Sequence, residues 1–279
     1  MVIFMEKLDL KEKKQIVFDI LCDIDDICKK HNITYYLAYG TLIGAVRHKG
    51  FIPWDDDIDI WVRAEDYRKL LEVLQAESKY QLLDNLKSSA WPRLFSKLSD
   101  PNTSVVNRNA DKMTLSRGIA VDIFPLAKVT DYARLTVLMR KAKRRIYALY
   151  KCSIKYVEKS SLKNVQNKLI DLWLRMSNRA QLSYWQNKFF MYELGDENGR
   201  KLAWVDSVYG SRDVHDLSDF ESTVEVEFEH RLFPAPKGYD IILRRIYGDY
   251  MKLPPEENRI SNHDVEVYRI NKESMNRKQ

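Results

Sequence analysis

The strongest constraint on the fold is a short acidic run that leads directly into an apolar segment. Residues 54–62 read Trp-Asp-Asp-Asp-Ile-Asp-Ile-Trp-Val, and residues 58–62 have the composition of a short buried strand. Because strand side chains alternate between faces, Asp57 and Asp59 share a face, roughly 6–7 Å apart along the backbone. Two such carboxylates repel each other unless a cation lies between them, and Mg²⁺ or Mn²⁺ takes hard oxygen ligands. The pattern predicts a metal site at a strand end; the alternative is an acidic turn formed by Asp55 and Asp56.

A glycine–threonine pair lies just upstream of the acidic run. Residues 34–39 are aromatic and β-branched enough to predict a strand, and Gly40 and Thr41 interrupt it before a short helix over residues 42–47. Glycine lets a ligand approach the backbone, and free amides at a helix start favour an anion, with the Thr41 hydroxyl as a further donor. The pair therefore predicts a phosphate-binding turn, although taken alone it is also typical of ordinary chain reversals.

Three further residues of this stretch are predicted to contact substrate. A guanidinium suits phosphate oxygens, so Arg47, with His48 beside it, is a candidate phosphate ligand. Trp54 offers an aromatic face that attracts a quaternary ammonium. The alternative is a surface turn with incidental charge. A phosphate-binding turn beside a metal site is the arrangement that holds a nucleoside diphosphate and polarises one of its phosphorus atoms.

A third carboxylate stands in a later apolar run. Residues 119–124 have the length of a strand, are bounded by Gly118 and Pro125, and contain Asp122. A buried carboxylate needs a partner, which a metal or an acceptor hydroxyl would supply. The alternative is an aspartate satisfied by neighbouring backbone amides. Asp57, Asp59 and Asp122 are thus the candidate catalytic residues and metal ligands, and the choice of general base among them stays open.

Together these residues resemble the signature of the LicD family, bacterial phosphocholine transferases related to fukutin-type ribitol-phosphate transferases. The resemblance is carried by residues 39–60 (YGTLIGAVRHKGFIPWDDDIDI) and continues in residues 118–125, 233–240, 247–251 and 253–255. It implies an α+β, nucleotidyltransferase-like fold, in which a small mixed sheet covered by helices brings a Gly-Thr turn and an Asp-x-Asp strand to a third carboxylate.

The resemblance also implies a reaction. A phospho-alcohol group, phosphocholine first and ribitol- or glycerol-phosphate as alternatives, would pass from a CDP-alcohol donor to a sugar hydroxyl. The acceptor would be a lipid-linked cell-surface glycan, as in teichoic acid or capsule, and CMP would leave. A metal-dependent glycosyltransferase, a nucleotidyltransferase and a non-catalytic cation-binding scaffold are the alternatives.

Composition agrees with a cytoplasmic enzyme. The 279 residues include three cysteines without metal-ligand spacing, which favours a reducing compartment. The N-terminal apolar stretch is too short for a signal peptide, and no segment has the length of a membrane span.

The net charge of +6 is concentrated in residues 134–149, where apolar residues at helical spacing alternate with lysine and arginine. This predicts a basic amphipathic helix, and we favour one that packs its apolar stripe on the core and leaves its lysines and arginines solvated. The alternative is a helix that contacts anionic lipid at the inner face of the membrane. No nucleic-acid-binding module is present in the sequence, so no nucleic-acid partner is expected.

The rest of the chain predicts helices over residues 16–28 and 66–74, a β-hairpin over residues 94–106, and a half-exposed strand over residues 224–229. We divide the chain into a catalytic core (1–130), a helical, basic segment that reads the acceptor or the membrane surface (131–222), and a C-terminal strand and helix that pack back on the core (223–279).

Overall fold

The structure, a computed structural model, describes residues 4–84, 94–107, 118–129, 198–204, 207–260 and 265–271. The α-helices are α1 (Leu10–His31), α2 (Tyr39–Ile43), α3 (Ala64–Glu77) and α4 (Tyr239–Tyr247), and a π-helical turn, Gly44–His48, extends α2. The strands are β1 (Phe4–Lys7), β2 (Tyr35–Leu37), β3 (Ile58–Arg63), β4 (Gln81–Leu83), β5 (Ser96–Ser99), β6 (Thr103–Asn107), β7 (Ala120–Val129), β8 (Lys201–Ala203), β9 (Val214–Asp216), β10 (Thr223–Phe228), β11 (Arg231–Pro236) and β12 (Val265–Asn271). The predicted α+β class is confirmed.

A mixed central sheet has the order β2-β3-β7-β5-β4. Strands β3 and β7 are parallel, whereas β2, β4 and β5 pair antiparallel with their neighbours. The second half of β7 pairs with β8, which pairs in turn with β9. The segment around residues 201–216, expected to be helical, therefore extends the central sheet.

Helices α1 and α3 cover one face of this sheet. The predicted helix over residues 16–28 is confirmed as the middle of α1, which begins at a capping box formed by Asp9 and Glu12. Its apolar stripe is buried, and α1 and α3 contact each other as well as β3 and β7.

Two smaller β-structures complete the described part of the chain. The half-exposed strand predicted over residues 224–229 is confirmed as β10, which forms a hairpin with β11. The hairpin predicted over residues 94–106 is wrong: β5 pairs with β4 and β7, whereas β6 joins β12 in a separate sheet. The turn after Asp100, whose carboxylate accepts from the Asn102 amide at 2.9 Å, redirects the chain between sheets instead of folding it back.

The predicted basic helix over residues 134–149 lies outside the described residues, as does Cys152. Among the helices that the structure describes, none combines the length and apolarity needed to span a bilayer.

Candidate active site

The register of three strands places charged side chains in one row across the sheet. Asp59 of β3 lies opposite Asp122 of β7, and Asp122 lies opposite Lys97 of β5. Side chains at paired positions of neighbouring strands point to the same face. The predicted convergence of the Asp-x-Asp strand with the third carboxylate is therefore what the sheet produces, and it adds a lysine that the sequence analysis did not identify. We call Asp59, Asp122 and Lys97 the acidic row.

The lysine closes the row at one end. Its Nζ lies 2.6 Å from Oδ1 of Asp122, and both side chains are partly exposed. At the other end, Asp57 precedes β3 and is half-buried, as is Asp59. The Asp59 backbone is fixed on both sides, because its amide donates to the Thr41 hydroxyl at 2.8 Å and its carbonyl accepts from the Ala38 amide at 3.0 Å.

The electrostatics of the row centre on Asp59. Burial raises the pKa of Asp59 well above its ordinary value, and the negative charges of Asp57 and Asp122 raise it further. Lys97 acts in the opposite direction, and Asp55 adds to the increase. A carboxylate whose ionisation is opposed by burial and by neighbouring negative charge favours an incoming cation.

An aromatic row lies beside the acidic row on the same face of the sheet. Two residues after each aspartate, Trp61 and Phe124 lie opposite each other in β3 and β7. The Tyr39 ring packs against both, with centroid distances of 4.8 Å and 5.5 Å. Trp204 also packs on Phe124, at 4.5 Å. The site therefore combines a charged edge, open to solvent in part, with a closely packed aromatic base.

The first two aspartates of the acidic run point to different partners. Asp56 is buried and its Oδ2 lies 3.3 Å from the ammonium of Lys13 in α1. Asp55 lies against the signature glycine, since a Cβ added at Gly40 would be 2.9 Å from its Oδ2. Asp55 thus belongs to the site and Asp56 to the packing of α1.

Gly40 and Thr41 lie inside a helix instead of between a strand and a helix. The predicted strand over residues 34–39 is shorter, β2 (Tyr35–Leu37), and α2 begins at Tyr39. Tyr39 has a left-handed backbone, with φ of 46°, which is uncommon for a residue other than glycine. The Thr41 side chain is buried, and its hydroxyl accepts the hydrogen bond from Asp59 described above.

Arg47, His48 and Trp54 form a cluster connected to the C-terminal part of the chain. The Arg47 guanidinium donates to the Tyr250 carbonyl and, through Nε, to His48 Nε2 at 2.9 Å. Trp54 lies between the His48 ring, at 6.5 Å, and the Arg259 guanidinium, at 5.9 Å. Their roles in substrate binding stay predictions.

The charge state of this cluster depends on its surroundings. Burial lowers the pKa of Arg47, and burial followed by the charges of Arg47 and Lys14 lowers the pKa of His48. At neutral pH the imidazole of His48 is therefore uncharged, and Arg47 is the cation of the pair.

Comparison with known proteins identifies the family. Residues 32–148 match the family model described as LicD/FKTN/FKRP, nucleotidyltransferase domain. The lipopolysaccharide cholinephosphotransferase LicD of Haemophilus influenzae is 30% identical over 278 residues, which cover 95% of this chain and 99% of that protein. The chain belongs to the LicD family. Uncharacterized proteins of Rickettsia prowazekii and Rickettsia typhi are 39% and 38% identical over 71 residues, 25% of this chain.

Family membership confirms two predictions, the resemblance itself and the enzyme class, a phosphotransferase of the LicD type. The family model ends at residue 148, so β8, β9 and α4 of this LicD family member lie beyond it. Trp204, which follows β8, and His215 of β9 nevertheless pack against Phe124 and Trp61 of the site.

The donor set fits a divalent cation of the kind that the sequence predicts. Asp57 and Asp59 offer hard carboxylate oxygens that Mg²⁺ or Mn²⁺ prefers. The raised pKa of Asp59 reflects burial first and then the like charge of Asp57 and Asp122, which a cation would relieve. Within the described residues, no three His, Cys, Asp or Glu side chains already form a metal cage. A cation held there would therefore draw further ligands from substrate oxygens, as is usual for Mg²⁺ bound with phosphates.

The aromatic residues near the signature are mostly core. Tyr35, Tyr36 and Trp61 are buried, as is Tyr39, whereas Trp54 is half-buried. The four buried residues belong to the core, which leaves Trp54 as the candidate for substrate contact.

Sequence reasoning missed Lys97, although a signal for it exists. Residues 95–97 read Phe-Ser-Lys, an aromatic and a polar residue two positions apart, which repeats the alternation of Asp59 with Trp61 and of Asp122 with Phe124. It also missed Asp213 and His215, which reach the site through Tyr39 and Trp61 and carry no local pattern.

Proposed function

We propose that this LicD family member transfers a phospho-alcohol group from a CDP-alcohol to a sugar hydroxyl of a cell-surface glycan and releases CMP. The observation that carries the proposal is the acidic row. Asp59 and Asp122 lie side by side in register on parallel strands, with Asp57 close enough to raise the pKa of Asp59. Such clustered negative charge is suited to a divalent cation that neutralises a bound diphosphate.

Each residue of the site has a proposed role. Asp57 and Asp59 would hold Mg²⁺ or Mn²⁺, and the bound cation would supply Lewis acidity toward the phosphoryl oxygens. The donor diphosphate would lie along Gly40 and Thr41, where Gly40 is half-buried and has no side chain to obstruct a ligand. Arg47 would bind the remaining phosphate oxygens as a fork.

Asp122 is the proposed general base. The contact between its Oδ1 and Lys97 orients the carboxylate, and a positioned carboxylate within hydrogen-bond reach of the acceptor hydroxyl can take its proton as the oxygen attacks phosphorus. Lys97 then offsets part of the negative charge that develops on the transferred group. Phosphorus gains the bond to the acceptor oxygen and loses the bond to the CMP oxygen, so that the products are a phosphodiester on the glycan and CMP.

Phosphocholine is the first candidate for the transferred group, because the H. influenzae relative is named a lipopolysaccharide cholinephosphotransferase. Ribitol- and glycerol-phosphate are the alternatives. The same name supports a lipid-linked glycan as acceptor. We further propose that the basic segment over residues 134–149 brings the enzyme to the inner face of the membrane, where such an acceptor is anchored.

Identifying the released nucleotide tests the reaction. Purified protein is incubated with Mn²⁺, an acceptor glycan and, in turn, CDP-choline, CDP-ribitol, CDP-glycerol and UDP-sugars. Release of CMP together with transfer of the phospho-alcohol group to the glycan supports the proposal. Release of UDP would contradict the proposal and indicate sugar transfer, and release of pyrophosphate would indicate nucleotidyl transfer. Metal binding without any turnover would indicate a non-catalytic role.

The acidic run itself provides a matched pair of variants for this assay. Asp57→Asn should reduce turnover by about a hundredfold or more, because it removes a charged ligand from the site. Asp56→Asn removes the neighbouring carboxylate, which pairs with Lys13 outside the acidic row, and should retain turnover while lowering Tm. Equal turnover in Asp57→Asn and the unmodified protein would refute the site.

A further inference from the structure

A buried chain of three side chains lies behind the signature turn. The Tyr39 hydroxyl donates to Oδ2 of Asp213 at 2.6 Å, and His215 Nε2 lies 2.8 Å from Oδ1 of the same carboxylate. Asp213 and His215 are 0% exposed and Tyr39 is 5% exposed. None of the three takes part in the mechanism above, and two of them come from a segment in which no family signature was found.

In the hydrogen bonds among these three side chains, Asp213 is the acceptor both times. His215 Nδ1 is buried and has no hydrogen-bond partner among the described residues. A hydrogen on Nδ1 would be buried without an acceptor, so the hydrogen lies on Nε2 and is donated to Asp213. Burial, followed by the charge of Asp213, raises the pKa of Tyr39 well above its ordinary value, so that its hydroxyl keeps its proton. The carboxylate of Asp213 therefore accepts from both neighbours.

Tyr39 transmits this anchoring to the backbone of the site. It is the first residue of α2 and has a left-handed backbone, φ 46°, which is unfavourable for a bulky side chain. Gly40 follows directly, and Thr41 accepts the hydrogen bond from the Asp59 amide. The Tyr39 ring also packs on Trp61 and Phe124, each two residues beyond an aspartate of the acidic row.

The segment that carries Asp213 and His215 is itself held in place by α4. Arg245 donates to the Val214 carbonyl at 2.9 Å, and Arg212 donates to the Ile246 carbonyl at 2.9 Å. His215 packs in addition against Trp61, with ring centroids 5.9 Å apart. The carboxylate that receives Tyr39 is thus fixed from two sides.

A fully buried carboxylate is a poor choice for stability alone, because well-packed apolar side chains of similar volume often serve as well or better. Its value lies in specifying one geometry. We propose that Asp213 and His215 are positioning residues of the phosphotransferase site, which act through the Tyr39 hydroxyl to hold Gly40 and Thr41 against Asp59. This inference rests on the proposed function for the identity of the reaction, but not for the geometry.

The test compares two buried tyrosine–aspartate pairs. Tyr39→Phe removes the hydroxyl that reaches Asp213. The control, Tyr35→Phe, removes a buried hydroxyl that donates to Asp25 at 2.9 Å on the α1 side of the sheet, away from the acidic row. For each variant, kcat per folded protein and KM for the CDP-alcohol are measured, and Tm is recorded to verify folding.

We expect both variants to lose Tm to a similar extent, and only Tyr39→Phe to lose kcat, by about tenfold or more, since misplacement of catalytic groups by an ångström can reduce the rate this strongly. Asp213→Asn should lose kcat similarly, and the Tyr39→Phe, Asp213→Asn double variant no more than the worse single variant, because both break one contact. His215→Gln, which keeps a donor, should retain more kcat than His215→Leu. Unchanged kcat in Tyr39→Phe, or additive losses in the double variant, would overturn the inference.

A second readout separates this inference from the proposed function. If the unmodified protein transfers nothing from any CDP-alcohol, the proposed function fails, and calorimetric binding of CDP with Mn²⁺ decides the positioning role. Weaker binding in Tyr39→Phe than in Tyr35→Phe supports positioning, whereas equal binding overturns it.

Discussion

Replacing Asp59 by asparagine should stabilise the metal-free protein while it removes activity. Asp59 and Asp122 occupy opposed positions on adjacent parallel strands, whose backbones are about 4.8 Å apart. Two unit charges about 5 Å apart repel by about 3 kcal/mol at an effective dielectric constant of about 20. Because Lys97 offsets part of this repulsion and the site is partly exposed, we expect a gain of about 1–2 kcal/mol in the free energy of unfolding, or about 2–6 °C in Tm.

The gain should depend on pH with a defined sign. The folded-state pKa of Asp59 is raised above its ordinary value of 3.8, so that ionising this carboxyl weakens the folded state relative to the unfolded chain. The penalty is fully present above the folded-state pKa, declines as the pH falls through it, and is absent below the unfolded value. The advantage of Asp59→Asn should therefore be largest above the folded-state pKa and shrink as the pH falls through it.

Urea unfolding in EDTA, at neutral pH and at stepwise lower pH, measures this difference. Asp249→Asn, a change at an exposed residue, is the control and should leave stability nearly unchanged. With Mn²⁺ present the order should reverse, since the cation binds and stabilises only the folded protein with both carboxylates. An Asp59→Asn variant that is less stable than the unmodified protein in EDTA, or whose advantage does not shrink at low pH, would refute the reasoning.

Three further predictions concern the neighbours of Asp59. Lys97→Met should lower the free energy of unfolding in EDTA by about 1–2 kcal/mol and reduce turnover, because Asp122 loses the contact at 2.6 Å. Urea unfolding measures the first effect and the CMP assay the second. A variant with unchanged turnover would exclude a catalytic role for this lysine. Gly40→Ala should keep Tm within a few degrees, because the obstructing atom at 2.9 Å is the movable end of the Asp55 side chain. Its kcat should fall by about tenfold or more, because that carboxylate is displaced. A large loss of Tm would mean that the backbone moves to admit the methyl group and that the Asp55 side chain does not. Saturating Mn²⁺ should raise the Tm of the unmodified protein by several degrees and the Tm of Asp57→Asn by much less. Thermal unfolding measures both increases. An equal increase in the two proteins would mean that the cation binds elsewhere.

Much of the site could be predicted because its determinants are local. The strand over Ile58–Arg63 follows from its composition, and the common face of Asp59 and Trp61 follows from the period of two. The helical stripes of α1 and α3 follow from the period of 3.6. The position of Asp122 as a third carboxylate could be expected, since an aspartate in an apolar run needs a partner.

Other features depended on pairing between distant segments. The hairpin prediction failed because a turn sequence such as residues 100–102 allows chain reversal but does not specify which strands pair. Whether Lys97 meets Asp122 depends on the antiparallel register of β5 and β7, and no local pattern encodes that register.

By itself the sequence determined which side chains carry charge and which of them share a face of a strand, because these properties follow from residue type and backbone period. Only the tertiary structure decided that Asp56 faces Lys13 while Asp55 lies against Gly40. It likewise decided that Tyr39 is anchored by Asp213, 174 positions further along the chain. Contacts of this kind are selected by the packing of the whole core, in which each side chain takes the place that its neighbours leave for it.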